Sequence, residues 1–154
     1  MNEAAVPARS PVTMTEPEIA AFLGAARTLT VATIGSDGGI HLVAMWFVMH
    51  GTSPVFWTYG KSQKARNLER DARLSGLAED GESYQTLRGV QLIGTAEVVS
   101  DPGEVLRIGQ ELSAKYAGLG PAADLARQAA KRVGVRLRPA RTVSWDHHKL
   151  ATSG

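Results

Sequence analysis

Cysteine is absent from the 154-residue sequence, so a disulfide framework, a thiolate metal site and a cysteine nucleophile are all excluded. An excess of charge is lacking too. The 17 basic and 15 acidic side chains leave a formal net charge of +2, too balanced for a dedicated nucleic-acid binder, whose basic side chains dominate one face. The pI near 9.2 leans only toward anionic ligands. No stretch reaches the roughly 20 apolar residues of a membrane span, and the first 17 residues lack the apolar segment of a signal peptide. A soluble, cytoplasmic protein without a membrane partner is the expectation. Also missing are a Gly-x-Ser-x-Gly elbow, a Walker loop and a Gly-x-Gly-x-x-Gly turn. Adjacent His147 and His148 point different ways and have no carboxylate cluster at ligand spacing, so no metal site is expected. His41 and His50, at a strand start and a turn, read as structural or solvent-facing. An enzyme made of what remains needs a bound cofactor to carry the hard chemistry.

What is present is one domain of ordinary hydrophobic content, 44%. Residues 1–14, rich in Ala and Pro, read as a loose tail, and a single domain follows over 15–150. Thr15, Pro17 and Glu18 form a capping box for a helix to about residue 26, with Ile19, Phe22, Leu23 and Ala26 on one face. The period then changes to two. Strands are expected over 28–34, 40–49, 55–59 and 73–78, and a long one over 84–100 with Gly89 and Gly94 as bulges. The 40–49 strand is so apolar that both its faces should be covered. Asp101 and Glu104 suggest a second capping box, for a helix with Val105, Ile108, Leu112 and Tyr116 on its buried side and Gly118 at its end. A third helix, 121–132, and a last strand, 133–145, complete the order: helix, five strands with a short helix inserted, two helices, strand. Closely spaced hairpins with glycine kinks suggest a small antiparallel barrel.

The chemistry concentrates at 56–71. An aromatic strand breaks at Gly60 and restarts at Ser62 as a short helix carrying Lys61, Lys64 and Arg66 around its first turns. Unpaired N–H groups and the positive end of the helix dipole favour a phosphate there, and Ser62 can cap the helix or turn its hydroxyl to the anion. Ala65 and Leu68 pin the helix to the core. Basic residues on a short helix are usually only a solvated face. Here the aromatic strand runs straight into them, and Met45-Trp46-Phe47 lies just upstream, so a flat ring has a place beside its own phosphate anchor.

Several motifs carry a family resemblance. They are Leu-x-Val-Ala-Thr-Ile at 29–34, Asp-Gly-Gly at 37–39, Met-Trp-Phe at 45–47, Trp-Thr-Tyr-x-x-Ser-x-Lys-x-Arg-Asn-Leu-x-Arg-Asp at 57–71 and Leu-Arg-Gly-Val-x-x-x-Gly-x-Ala-Glu-Val at 87–98. Together they resemble the pyridoxamine 5′-phosphate oxidase-like split β-barrel family, and are most similar to its actinobacterial branch of flavin and deazaflavin oxidoreductases that use coenzyme F420. The resemblance implies a mainly β fold with helices (α+β), a split antiparallel barrel, and a homodimer with the cofactor in an interface groove. It maps the phosphate anchor onto Ser62, Lys64, Lys61 and Arg66, with Asn67 beside them, and the ring-lining segment onto Val43, Ala44, Met45 and Trp46, with Thr58 and Tyr59 adjacent. It implies hydride transfer from F420, or alternatively FMN, to an unsaturated small molecule, with no side chain assigned as an essential acid or base. A non-catalytic flavin or deazaflavin binder is the competing reading. The short stretch beyond Leu150 is not expected to hold the C-terminal substrate motif of true pyridoxamine phosphate oxidases.

Overall fold

The computed structural model describes residues 10–117 and 122–152. Helix α1, Glu16–Ala25, starts on the expected capping box: Thr15 Oγ1 accepts the Glu18 N–H, and the Glu18 carboxylate accepts the Thr15 N–H at 2.7 Å. It buries Phe22 and Leu23. Strand β1, Leu29–Ile34, alternates as read, with Leu29, Val31 and Thr33 inward. The turn to β2, Ile40–Met45, is closed by Asp37 Oδ1 accepting the Gly39 N–H, with Gly38 at φ 81°. The chain continues through β3 (Val48–His50), β4 (Ser53–Tyr59), α2 (Gln63–Arg70), β5 (Arg73–Asp80), a 3-10 turn at Tyr84–Thr86 and β6 (Arg88–Val99). Helices α3 (Pro102–Lys115) and α4 (Ala122–Ala129) precede β7, Arg132–Asp146, and a 3-10 turn at His147–Thr152 ends the described chain. No described helix is long and apolar enough to cross a membrane.

The strands form one antiparallel sheet in the order β2-β1-β5-β6-β7-β4-β3, giving the expected mainly β, split-barrel fold with helices. Strand β4 is buried on both faces. Phe56 enters a core with Leu29, Val31, Leu74, Val90, Leu137 and α1, while Val55 and Trp57 enter a second one with Val105, Ile108, Leu112 and Leu125 of α3 and α4. This double burial fixes the strand that leads into α2.

Several expectations need correction. The strand expected over 40–49 is two strands, so six strands, not five, precede α3. It breaks because the Phe47 backbone bonds elsewhere: its N–H donates to Tyr116 Oη, and its carbonyl accepts from Lys115 Nζ and shares the one Tyr116 hydroxyl proton with the Arg27 carbonyl. Nor are both faces of β2 covered within the chain, since Ile40 and Leu42 are 71% and 65% exposed. The 84–100 strand begins only at Arg88. Gly94 does sit at a register shift, where Ile93 pairs with Arg141 and Gly94 with Pro139, but Gly89 pairs with Trp145 without a bulge. There the Trp145 ring lies where a Cβ would project, so Gly89 serves close approach rather than bending. At α3 only half the capping box forms, Asp101 accepting the Glu104 N–H. That helix ends at Lys115, and Gly118 lies outside the described residues. Helix α4 ends at Ala129, so Arg132 belongs to β7. Of the expected tail, residues 1–9 lie outside the described chain, while Val12 accepts the Asp146 N–H and Met14 is buried.

Candidate functional site

Where β4 ends, backbone bonds define the turn into α2: the Gly60 N–H donates to the Lys131 carbonyl and the Ser62 N–H to the Tyr59 carbonyl. Ser62 is the N-cap. Its Oγ accepts the Ala65 N–H at 3.2 Å and the Thr58 hydroxyl at 3.1 Å, so its own proton is left to donate. Ala65 and Leu68 are buried as expected.

Around this helix start the cations have no partners. Lys61, Lys64 and Arg66 make no ion pair or side-chain hydrogen bond among the described residues. Lys64 is half-buried, and burial holds its ammonium below the usual lysine value. A partly dehydrated cation without a counter-charge is costly in the free protein and is relieved by a bound anion. Asn67 differs from what its motif position suggests. It is fully buried, its Nδ2 donates to Thr33 Oγ1 at 3.0 Å, and its Oδ1 accepts from Gln63 Nε2 and Arg70 Nη2, each at 2.7 Å. It is a bracket holding α2 to β1, with its carbonyl oxygen and one amide N–H bonded within the chain.

Beside the turn lies a groove of about 430 Å³. Ala44, Met45 and Trp46 form one wall, Trp57, Thr58 and Tyr59 the other, and Leu112 and Arg132 complete it. Thus Ala44, Met45, Trp46, Thr58 and Tyr59 do come together. Val43 does not join them: on the alternate side of β2 it packs against the main core. Lys61, Ser62, Lys64 and Arg66 follow the groove in the chain without lining it.

The aromatic walls are held from behind. The Trp46 ring stacks on Tyr116 with centroids 4.6 Å apart and planes 5° from parallel. Tyr116 is itself locked by hydrogen bonds to Phe47 and to the Arg27 carbonyl, and burial raises its phenol above the usual value, so it stays a donor. On the other wall the Trp57 ring fills the space a Cβ on Gly109 of α3 would take.

Arg132, Trp57 and Leu112 were not among the residues expected at the site. The sequence reading sets Arg132 at the end of a helix. The available signal was the recurrence Arg132, Arg136, Arg138 at even spacing, which marks one face of a strand. A larger cavity, about 530 Å³, lies behind α1, but its Arg88 is already paired with Asp80 in a two-bond ion pair. Among the described residues no metal-ligating cluster occurs. His147 bonds the Tyr84 carbonyl, His148 pairs with Asp146, and His50 with Glu111.

A family model described as pyridoxamine 5′-phosphate oxidase matches residues 15–146. The solved structure of a conserved hypothetical protein from Mycobacterium tuberculosis is similar over 93% of this chain and 91% of that one, at 45% identity and a TM-score of 0.87. A structure described as an F420 reductase is similar over 80% of this chain and 94% of that one, at 26% identity and a TM-score of 0.67. The heme storage protein HutZ from Vibrio cholerae, 20% identical with a TM-score of 0.69 over 84% of this chain and 94% of that one, shares the fold. No similar sequence was found among curated proteins. The family match runs from the residue that caps α1 to the last residue of β7, taking in every strand of the sheet, the α2 start and both walls of the groove; the chain belongs to the pyridoxamine 5′-phosphate oxidase family of split β-barrel proteins.

Proposed function

We propose that the protein is an oxidoreductase that holds coenzyme F420 along the groove and the α2 start, and passes hydride to an unsaturated small molecule. The observation that carries this reading is Lys64, a half-buried ammonium without a counter-charge among the described residues, on the helix that follows the aromatic groove strand. The residues fit a cofactor that joins a flat ring to a phosphate. In this reading Lys64, the Ser62 hydroxyl and, from the surface, Lys61 and Arg66 hold the phosphate. Ala44, Met45 and Trp46 face one side of the ring and Thr58 and Tyr59 lie beside it, which leaves the other face to the molecule that takes the hydride. When bound, the reduced deazaflavin supplies the hydride. The chain's own share is orientation and exclusion of water, and no side chain is assigned as acid or base.

The family generally binds flavins and includes oxidoreductases. The likeness to an F420 reductase favours the deazaflavin over FMN, which the same anchor would accept. Titration of the purified protein with F420 and with FMN, followed by tryptophan fluorescence, tests the choice. Tighter binding of F420 is expected, and tighter binding of FMN overturns it. Reduced cofactor offered with quinones, enones and nitroaromatics then separates an enzyme from a carrier, since a carrier binds without turnover.

We infer further that two copies pair through β2. Ile40, Leu42, Ala44 and Trp46 alternate onto one exposed apolar face, and Ala44 and Trp46 also belong to the groove. A homodimer would cover the face and close the groove. The cytoplasm is the compartment this reading calls for.

A further inference from the structure

We propose that Arg132 makes the groove selective for flat organic anions, so that the molecule reduced there carries a carboxylate or a comparable acidic group. The proposal rests on the groove being the reaction site and adds the class of substrate. Of the residues lining the groove, Arg132 is the one that carries charge. Its position is fixed by the sheet: it pairs across the β4–β7 ladder with Tyr59, itself a groove residue. The guanidinium carbon lies 4.3 Å from the centroid of the Tyr59 ring and 4.8 Å from that of Trp57. The Trp57 ring in turn packs directly against Gly109 of α3.

With aromatic rings against it, the guanidinium is left to bond through its edge, the geometry that matches a carboxylate with two parallel bonds. One such donor is used, Nη1 to the Gln128 carbonyl at 3.1 Å, and no carboxylate among the described residues pairs with Arg132. The other charged members of this face of β7 are treated differently: Arg136 and Arg138 are both neutralised by Glu97. Of these three arginines, the one inside the groove has no carboxylate partner among the described residues. Trp46 and Leu112 complete an apolar, aromatic surround for the body of a conjugated ligand.

The test uses full-length protein without cofactor and two probes of one shape, cinnamate and its neutral counterpart cinnamamide, with binding measured by calorimetry. Wild type should bind cinnamate about ten to a hundred times more tightly than cinnamamide, the range for a charge-assisted bond. Arg132→Gln should erase that preference and leave cinnamamide binding unchanged. Arg132→Lys, which keeps the charge but not the planar fork, should retain only part of it. Lys64→Ala should leave the preference intact. Equal binding of the two probes by wild type, no binding of either, or a preference that survives Arg132→Gln would overturn the proposal. So would its disappearance in Lys64→Ala, which would place the anion on α2. A parallel F420 titration separates the two readings: if Arg132→Gln weakens F420 as much as Lys64→Ala does, Arg132 serves the cofactor and the substrate assignment fails. Loss of F420 binding in wild type, with the cinnamate preference preserved, would instead remove the cofactor proposal and leave the anion site standing.

Discussion

Lys64 and Asn67 stand three residues apart on one helix and have opposite meanings. Lys64 has no partner, so Lys64→Ala should weaken F420 by about one to two orders of magnitude, the worth of a charge-assisted bond. The melting temperature of the free protein should stay the same or rise slightly, because a dehydrated ammonium is removed. Arg141→Ala, an exposed change on the far half of β7, serves as the charge control and should leave affinity unchanged. Asn67→Ala should act in reverse. It strands the buried Thr33 hydroxyl and the Gln63 and Arg70 donors, costing about 1–3 kcal/mol and lowering the melting temperature. The burial of Lys64 also sets a pH dependence. Its folded-state value lies below its usual 10.5, so between the two the unfolded chain binds more protons and the free protein gains stability as pH rises. F420 affinity should fall over the same rise, as the ammonium is lost. Titrations across that range should show the fall in wild type and not in Lys64→Ala.

At the scale of elements, the groove depends on α3 being seated against β4. Gly109→Ala would put a methyl group into the Trp57 ring, an overpacking that costs about 1–3 kcal/mol. The ring must turn, so the tryptophan emission should shift and the stacking of Arg132 should loosen. Wild-type emission together with an unchanged melting temperature would show that α3 simply moves aside. The same contacts explain which elements could be read from sequence. Helix α1, strand β1 and the α2 start depend on local signals: the Thr15 box, the alternation of Leu29, Val31 and Thr33, and the Ser62 cap. The break after Met45 could not be read, because its cause is Tyr116, far along the chain just past the end of α3. The strand start at Arg132 is hidden for a related reason. Alanine-rich sequence runs up to it, and only the pairing with Tyr59 makes it strand. Of the site, the groove walls at 44–46 and 58–59 and the basic turn were legible as motifs. Asn67 looked like one of them because a sequence motif does not tell a ligand contact from the bracket that holds it.

For the molecule as a whole, the uncovered face of β2 gives the simplest test. Light scattering on a size-exclusion column should give about twice 16.4 kDa for wild type, and Leu42→Lys, a change at a side chain exposed in the single chain, should give a folded monomer with weakened F420 binding. A wild-type monomer at micromolar concentration would remove the shared groove. The strand order has a different kind of consequence. Because β7 lies between β6 and β4, the hairpin of β3 and β4 has no link to the rest of the sheet until residues near the C-terminus arrive. During synthesis the β1, β2, β5 and β6 half can pair as it emerges, but the strand that leads to the phosphate anchor must wait for the final insertion. Closing such distant partners is slow. The groove wall that β4 supplies is therefore among the last parts to be seated, and a ribosome that stops short of β7 releases a chain whose α2 can already be bracketed to β1 while β4 has no sheet to join.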